Sequence, residues 1–283
     1  LAQTKSGMEQ LKRDAETARD MGGQELADFL TKCLNIWVQN ADNQYIDVDK
    51  FTKCGSERKL EAFRGQSCWV GLDLSSGGDL TSLALEFELD DDRFYFYSHS
   101  FMPRGRLLEH IKTDIAPYDV WEQEGLITVT GTMDDYKNDY RYIVNHLAEL
   151  RRKYDLNFYG IGVDPHNADG ILSELEGFGC PIIIVTQSAR NLSDTTEDLR
   201  LNVKSEKIQY DKCNSLLMWS FVNAKVTKNS FDEIKVDKEA HAKHRRIDPV
   251  DACIDAHYLV MKNRETVDVD AEMKKYLGRM GWA

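Results

Sequence analysis

Apolar and polar positions divide the chain into an irregular beginning and a strongly patterned remainder. From Met8 to Val38 the apolar spacing is helical, interrupted at Gly22-Gly23, and the polar stretch NADNQYIDVDKFTKCGSERK follows without strand alternation. Residues 1–65 are therefore expected to form a linker or the tail of a preceding domain, with a compact fold from about Ser67. CWVGLDL (68–74) is a near-continuous apolar run that stops at Ser75-Ser76-Gly77-Gly78, the pattern of a strand covered on both faces. Leu83, Leu85, Phe87 and Leu89 alternate with Ala84, Glu86 and Glu88, and RFYFYSHSF (93–101) follows the turn Asp90-Asp91-Asp92. These runs predict an antiparallel three-strand meander.

Further on, the pattern alternates between periods. Leu107, Leu108 and Ile111 predict a short helix, GLITVT (125–130) a strand, and Tyr140, Ile143, Val144, Leu147 and Leu150 an amphipathic helix. FYGIGVD (158–164) and PIIIVTQ (181–187) read as buried strands, with a helix from Ala168 to Leu175 between them. Helices are predicted over 189–204 and 211–224, a strand over EIKVD (233–237), and a last helix from Pro249. The expected fold class is α/β: a mixed sheet in which a three-strand meander is followed by alternating strands and helices, with helices on both faces.

Composition narrows the function. With 283 residues, 42% hydrophobic and 30% charged, the chain has a globular balance and ample core. It holds no apolar run near the roughly 18 residues of a membrane span, so no membrane partner is expected. No signal peptide is visible, and a start without Met suggests an internal fragment. The net charge of −12 argues against broad coating of nucleic acid. It is compatible with a local basic strip and with an acidic site for divalent cations. Six cysteines without C-x-x-C pairing or a nearby histidine point to reduced thiols rather than zinc. The chain also lacks a P-loop, a G-x-S-x-G elbow and an H-E-x-x-H helix.

The chemistry concentrates in carboxylates. Asp73 and Asp164 each close a buried run with the same lead-in, VGLD and IGVD. If those strands are parallel neighbours, their ends bring the two acids together where open α/β sheets bind ligands. In RRIDPVDACIDAH, Asp248, Asp251 and Asp255 are spaced three and four apart and share one helix face, with Val250, Cys253, Ile254 and Met261 opposite. Singly, each has an ordinary reading. Asp73 could cap a turn, Asp164 could start one before Pro165, Asp248 could cap a helix with Pro249 in its first turn, and Asp255 could lie on exposed helix surface. Together they fit hard cations such as Mg2+ or Mn2+, and a pair of such ions about 4 Å apart serves phosphodiester hydrolysis. Lys243, His244, Arg245 and Arg246 precede the acidic helix as a candidate phosphate grip or a solvated charge run. His166 lies two residues past Asp164. Tyr210, Trp219 and Phe221 read as core.

WVGLDLSSGGDLTSLAL, YGIGVDPHNADGILSELEGFG and RRIDPVDACIDAHYLV, in that order, resemble the C-terminal nuclease half of the large terminase subunit of tailed bacteriophages. FLTKCLNIWVQNADNQYIDVDKF also resembles the stretch joining that family's ATPase and nuclease domains, so the resemblance runs from about Asp28 to Met261. It implies a ribonuclease-H-like, RuvC-related fold over 66–264; the charged composition of 265–283 suggests a mobile tail. It further implies a two-ion Mg2+ or Mn2+ site in which Asp73, Asp164 and Asp248 are catalytic ligands and Asp251 a further ligand; the charge run itself, not the resemblance, offers Lys243, Arg245 and Arg246 as contacts to nucleic acid. Resolvases commonly carry Glu on the fourth strand, and Asp164 favours the terminase resemblance. The implied function is a metal-dependent endonuclease that cuts concatemeric double-stranded DNA during genome packaging in the cytoplasm of an infected bacterial host. The implied partners are an ATPase domain, a small terminase subunit and a portal. A branched-DNA resolvase and a largely non-catalytic docking module remain the alternatives.

Overall fold

The computed structural model describes residues 5–21, 29–30, 33–34, 43–75, 80–114, 116–165, 167–238 and 245–279. Its elements are α1 (Lys5–Met21), α2 (Val48–Cys54), β1 (Gly55–Ser56), β2 (Ser67–Asp73), β3 (Thr81–Leu89) and β4 (Arg93–Pro103). Then come α3 (Arg104–Thr113), α4 (Tyr118–Gln123), β5 (Ile127–Thr130), α5 (Arg141–Tyr154), β6 (Asn157–Val163), α6 (Leu172–Glu176) and β7 (Ile182–Ile184). The chain continues through α7 (Ala189–Lys204), β8 (Ile208–Asp211), α8 (Ser215–Asn223), β9 (Ala224–Lys228), β10 (Ile234–Lys238) and α9 (Asp248–Arg279).

The main sheet has strand order β1-β8-β4-β3-β2-β6-β7, with β5 also pairing β4. As the alternation predicts, β2, β3 and β4 form an antiparallel meander. β6 then adds to β2 in parallel, and β7 to β6. β5 and β8 share the other edge of β4, at Ser100–Pro103 and Phe94–Phe96 respectively. β9 and β10 stand apart as an antiparallel hairpin.

Period-two alternation divides each central strand between two cores. Val70, Leu72, Leu83, Leu85, Ile161 and Val163 face α5, whose Ile143, Leu147 and Leu150 close that layer. On the opposite face, Trp69, Ala84, Phe94 and Phe96 meet α9, together with α2, α7 and α8 residues such as Phe51, Leu199 and Phe221. The odd residues Trp69, Gly71 and Asp73 therefore belong to the α9 side of β2. On β6 the same side carries Gly160 and Gly162, and Asp164 follows with that parity.

Glycine permits a close approach of helix to sheet. A Cβ on Gly71 would fall far inside van der Waals contact distance of the Ala252 carbonyl oxygen and 2.5 Å from the Ala256 nitrogen. One on Gly162, the register partner of Gly71, would come within 3.0 Å of the Asp255 oxygen. The repeated glycine before each strand-end acid thus lets the backbone of α9 lie directly on the sheet.

Several expectations change. The compact body begins before Ser67: Tyr45, Ile46, Val48, Phe51, Leu60 and Phe63 are all buried. Asp47 caps α2, its side chain accepting from the Lys50 nitrogen. β8 and α4 come from segments in which only a few residues are apolar, too few to establish a period. α9 continues to Arg279 through residues expected to be a mobile tail. Met8–Val38 is described as helix over Lys5–Met21, while Gly22-Gly23 lie outside the described residues. Among the described residues no helix is long and apolar enough to cross a membrane.

Candidate metal centre

Strand pairing brings Asp73 and Asp164 side by side. β2 and β6 are parallel neighbours, Leu72 pairs with Val163, and the Asp164 nitrogen donates to the Leu72 carbonyl at 3.2 Å. The backbone just past Asp73 is held firmly. Asn167 Nδ2 donates to the Leu74 carbonyl at 3.0 Å, and Asn138 Nδ2 donates to the Ser75 carbonyl at 3.0 Å.

Over these strand ends lies the first turn of α9. Asp248 and Asp251 line the same cavity as Asp73 and Asp164, a space of about 340 Å3 shared with Gln187, Thr196, Lys235 and Lys238. The cavity thus brings together all four acids that the sequence singles out as ligands. Their electrostatics show a shortage of positive charge. Burial, then the Asp248, Asp251, Asp255 and Asp164 carboxylates, pushes Asp73 well above the ordinary carboxylate range. Burial and then Asp248 do the same to Asp251, with Lys235 opposing. Asp248 is pushed up to about 6 by burial, against its own backbone, Arg246 and Lys238.

Asp255 departs from the sequence reading. Expected on exposed helix surface, it is completely buried beneath the cavity. Gln187 Nε2 donates to its Oδ1 at 2.8 Å, while its Oδ2 has no hydrogen-bond partner. The face expected to oppose the acids is not separate either, since Val250, Cys253, Ile254, Ala256, His257 and Val260 bury the first three turns of α9 nearly all round. Helical turns buried nearly all round carry no amphipathic stripe, so the sequence pattern does not distinguish a buried Asp255 from an exposed one.

The expected phosphate grip also changes. Lys243 and His244 lie outside the described residues, as does His166. Arg245 and Arg246 are buried rather than presented to solvent. The Arg246 guanidinium donates to Asp114 Oδ2 at 3.2 Å and meets His110 Nδ1 at 3.0 Å, while Tyr118 donates to the same Asp114 oxygen. Arg246 therefore ties the approach to α9 onto α3 and α4, because a delocalised guanidinium tolerates burial when paired. Tyr210, Trp219 and Phe221 are core, as the sequence suggests.

The donors fit a hard divalent cation. All four lining acids offer oxygen, and their mutual repulsion, together with the unpartnered Asp255 Oδ2, calls for added positive charge. Among the described residues, no group of three or more His, Cys, Asp or Glu side chains has the spacing to hold a metal ion as it stands. The acids line one cavity without converging on a point.

The sheet order, with acids at adjoining parallel strand ends beneath a crossing helix, defines a ribonuclease-H-like α/β domain. Residues 2–264 match the family model described as the terminase large subunit, endonuclease domain, and the chain belongs to that family. It is 32% identical over 175 residues to the large terminase subunit of Enterobacteria phage HK97, covering 60% of this chain and 33% of that protein. The crystal structure of the HK97 bacteriophage large terminase superposes with a TM-score of 0.66 at 26% identity, covering 76% of this chain and 43% of that one. The large terminase nuclease of thermophilic phage G20c gives a TM-score of 0.50 at 12% identity, covering 76% and 98% respectively, and speaks for the fold alone. The chain spans between a third and a half of the length of the curated relatives it matches.

Proposed function

We propose that the chain is a divalent-metal-dependent endonuclease that hydrolyses double-stranded DNA, in the setting of viral genome packaging. The observation that carries this reading is the cavity shared by Asp73 and Asp164, from adjoining strand ends, and Asp248 and Asp251, from the first turn of α9. Family membership supports it. The four carboxylates act as ligands rather than general bases. Two Mg2+ or Mn2+ ions bound there would supply an activated water and neutralise charge on the leaving oxygen. The chain itself orients Asp73 and Asp164 through the β2–β6 pairing, and Gly71 and Gly162 set how closely α9 brings Asp248 and Asp251.

The surrounding assembly follows from the same reading. An ATPase domain on the same polypeptide, a small terminase subunit and a portal would supply DNA grip and timing, with the work done in the cytoplasm of an infected bacterium. Supercoiled plasmid incubated with this chain in EDTA, Mg2+ or Mn2+ tests the proposal. Nicking and linearisation are expected with either metal, none in EDTA, and a loss of at least about 100-fold in Asp73→Asn and Asp164→Asn. Equal cleavage in EDTA, or full activity in those variants, would overturn it.

A further inference from the structure

An acid-lined cavity in a chain of net charge −12 must still receive a polyanion, and two of the residues expected to grip it are turned inward. Arg245 and Arg246 are buried, Arg246 against Asp114 and His110. Lysines are nevertheless present at the cavity. Lys235 and Lys238 line it from β10, the inner strand of a hairpin crossing the acid face.

The hairpin is fastened on its other side. Ile234 and Val236 are buried, Val236 in the core shared with α7, and the Ile234 nitrogen donates to Ser193 Oγ of α7 at 3.1 Å. At its base, the Val226 nitrogen donates to the Asn43 carbonyl and Lys225 Nζ to Gln44 Oε1, at 2.7 and 2.8 Å. Alternation along β10 turns Lys235, together with Asp237, away from the core, while Lys238, of the opposite parity, lines the cavity from the end of the strand. The Lys235 ammonium lies 3.9 Å from Asp237 on the same strand, a long ion pair, and its side chain is 39% exposed.

We propose that the β9–β10 hairpin is the substrate clamp of this nuclease, with Lys235 and Lys238 holding backbone phosphates of DNA beside the carboxylate cavity. This rests on the nuclease reading above and adds to it a binding element that the sequence did not suggest. A lysine carries one compact charge without bidentate geometry. The clamp therefore grips any sequence, consistent with phosphate contacts that position a duplex without reading it.

The test measures binding apart from chemistry. A fluorescein-labelled duplex is titrated with the chain in EDTA across a range of salt concentrations, using wild type, Lys235→Gln, Lys238→Gln, Lys235→Arg and Asp73→Asn. Each Gln variant is expected to weaken binding about fivefold at moderate salt and to lower the salt-dependence slope by about 1. Lys235→Arg restores both quantities. With Mg2+ present, the Gln variants raise KM more than they lower kcat. An unchanged affinity and slope in both Gln variants overturns the clamp, as does a kcat loss without a KM change, which would mean that the lysines serve the carboxylates alone. Asp73→Asn separates the two readings. If wild type does not cleave yet the slopes still change, the nuclease reading fails while the clamp stands.

Discussion

A single helix face decides the chemistry at the residue scale. Asp248, Asp251 and Asp255 descend α9 from cavity wall to buried floor, and two residues past Asp255 the chain places His257 between two more acids. His257 Nδ1 meets Glu86 Oε1 at 2.7 Å and its Nε2 meets Asp198 Oδ2 at 2.8 Å, with the Phe94 ring edge-on and Arg264 near the two acids. Burial alone would lower the imidazole, but Glu86 and Asp198 outweigh it and push His257 up to about 9. An unfolded histidine titrates near 6.5. The imidazolium therefore contributes stability that is complete below about pH 6.5 and lost as pH rises through about 9. Thermal melts of wild type should fall in Tm across that window, and His257→Gln should be less stable at pH 6 and show a flatter profile. A parallel decline in both proteins would contradict this account. Nothing in the sequence marks the triad, because Glu86 and Asp198 lie on different elements and only the fold brings them to one ring.

Packing distance governs the element scale. The acids were legible because two strands repeat hydrophobic-Gly-hydrophobic-Asp, and Gly71 and Gly162 turn out to be the register partners on which α9 rests. Gly71→Ala forces a Cβ against the Ala252 and Ala256 backbone and should cost about 3 kcal/mol in urea unfolding, since a helix backbone cannot give way as a side chain can. A change within about 0.5 kcal/mol would mean that α9 shifts freely. Strong periods were read well: α7 covers the predicted 189–204, and β3 and β4 begin and end within a few residues of expectation. The short elements α2 and β8, each with only two large apolar residues, were not. α2 places Val48 and Phe51 three apart in a polar segment, and β8 contributes only Ile208 and Tyr210 to the core. Two apolar residues do not define a period, but Asp47 before Val48 was a readable capping signal.

For the whole molecule, the composition pointed to a globular α/β body and the net charge to a site needing cations, while the placement of charge came only with the fold. KHRR looked like a surface strip, yet its last two arginines are interior and the described lysines of the cavity belong to a separate hairpin. Residues 43–63, which read as linker, complete the two main cores.

The central claim is that β2, β6 and α9 build one divalent-cation site from Asp73, Asp164, Asp248 and Asp251. Mn2+ titration of this chain, followed by electron paramagnetic resonance, measures it without substrate or partners. Two ions per chain are expected for wild type, with displacement by Mg2+, and no more than one in Asp73→Asn or Asp164→Asn. Folded wild type that leaves Mn2+ free at millimolar concentration, or variants that bind as wild type does, would contradict it.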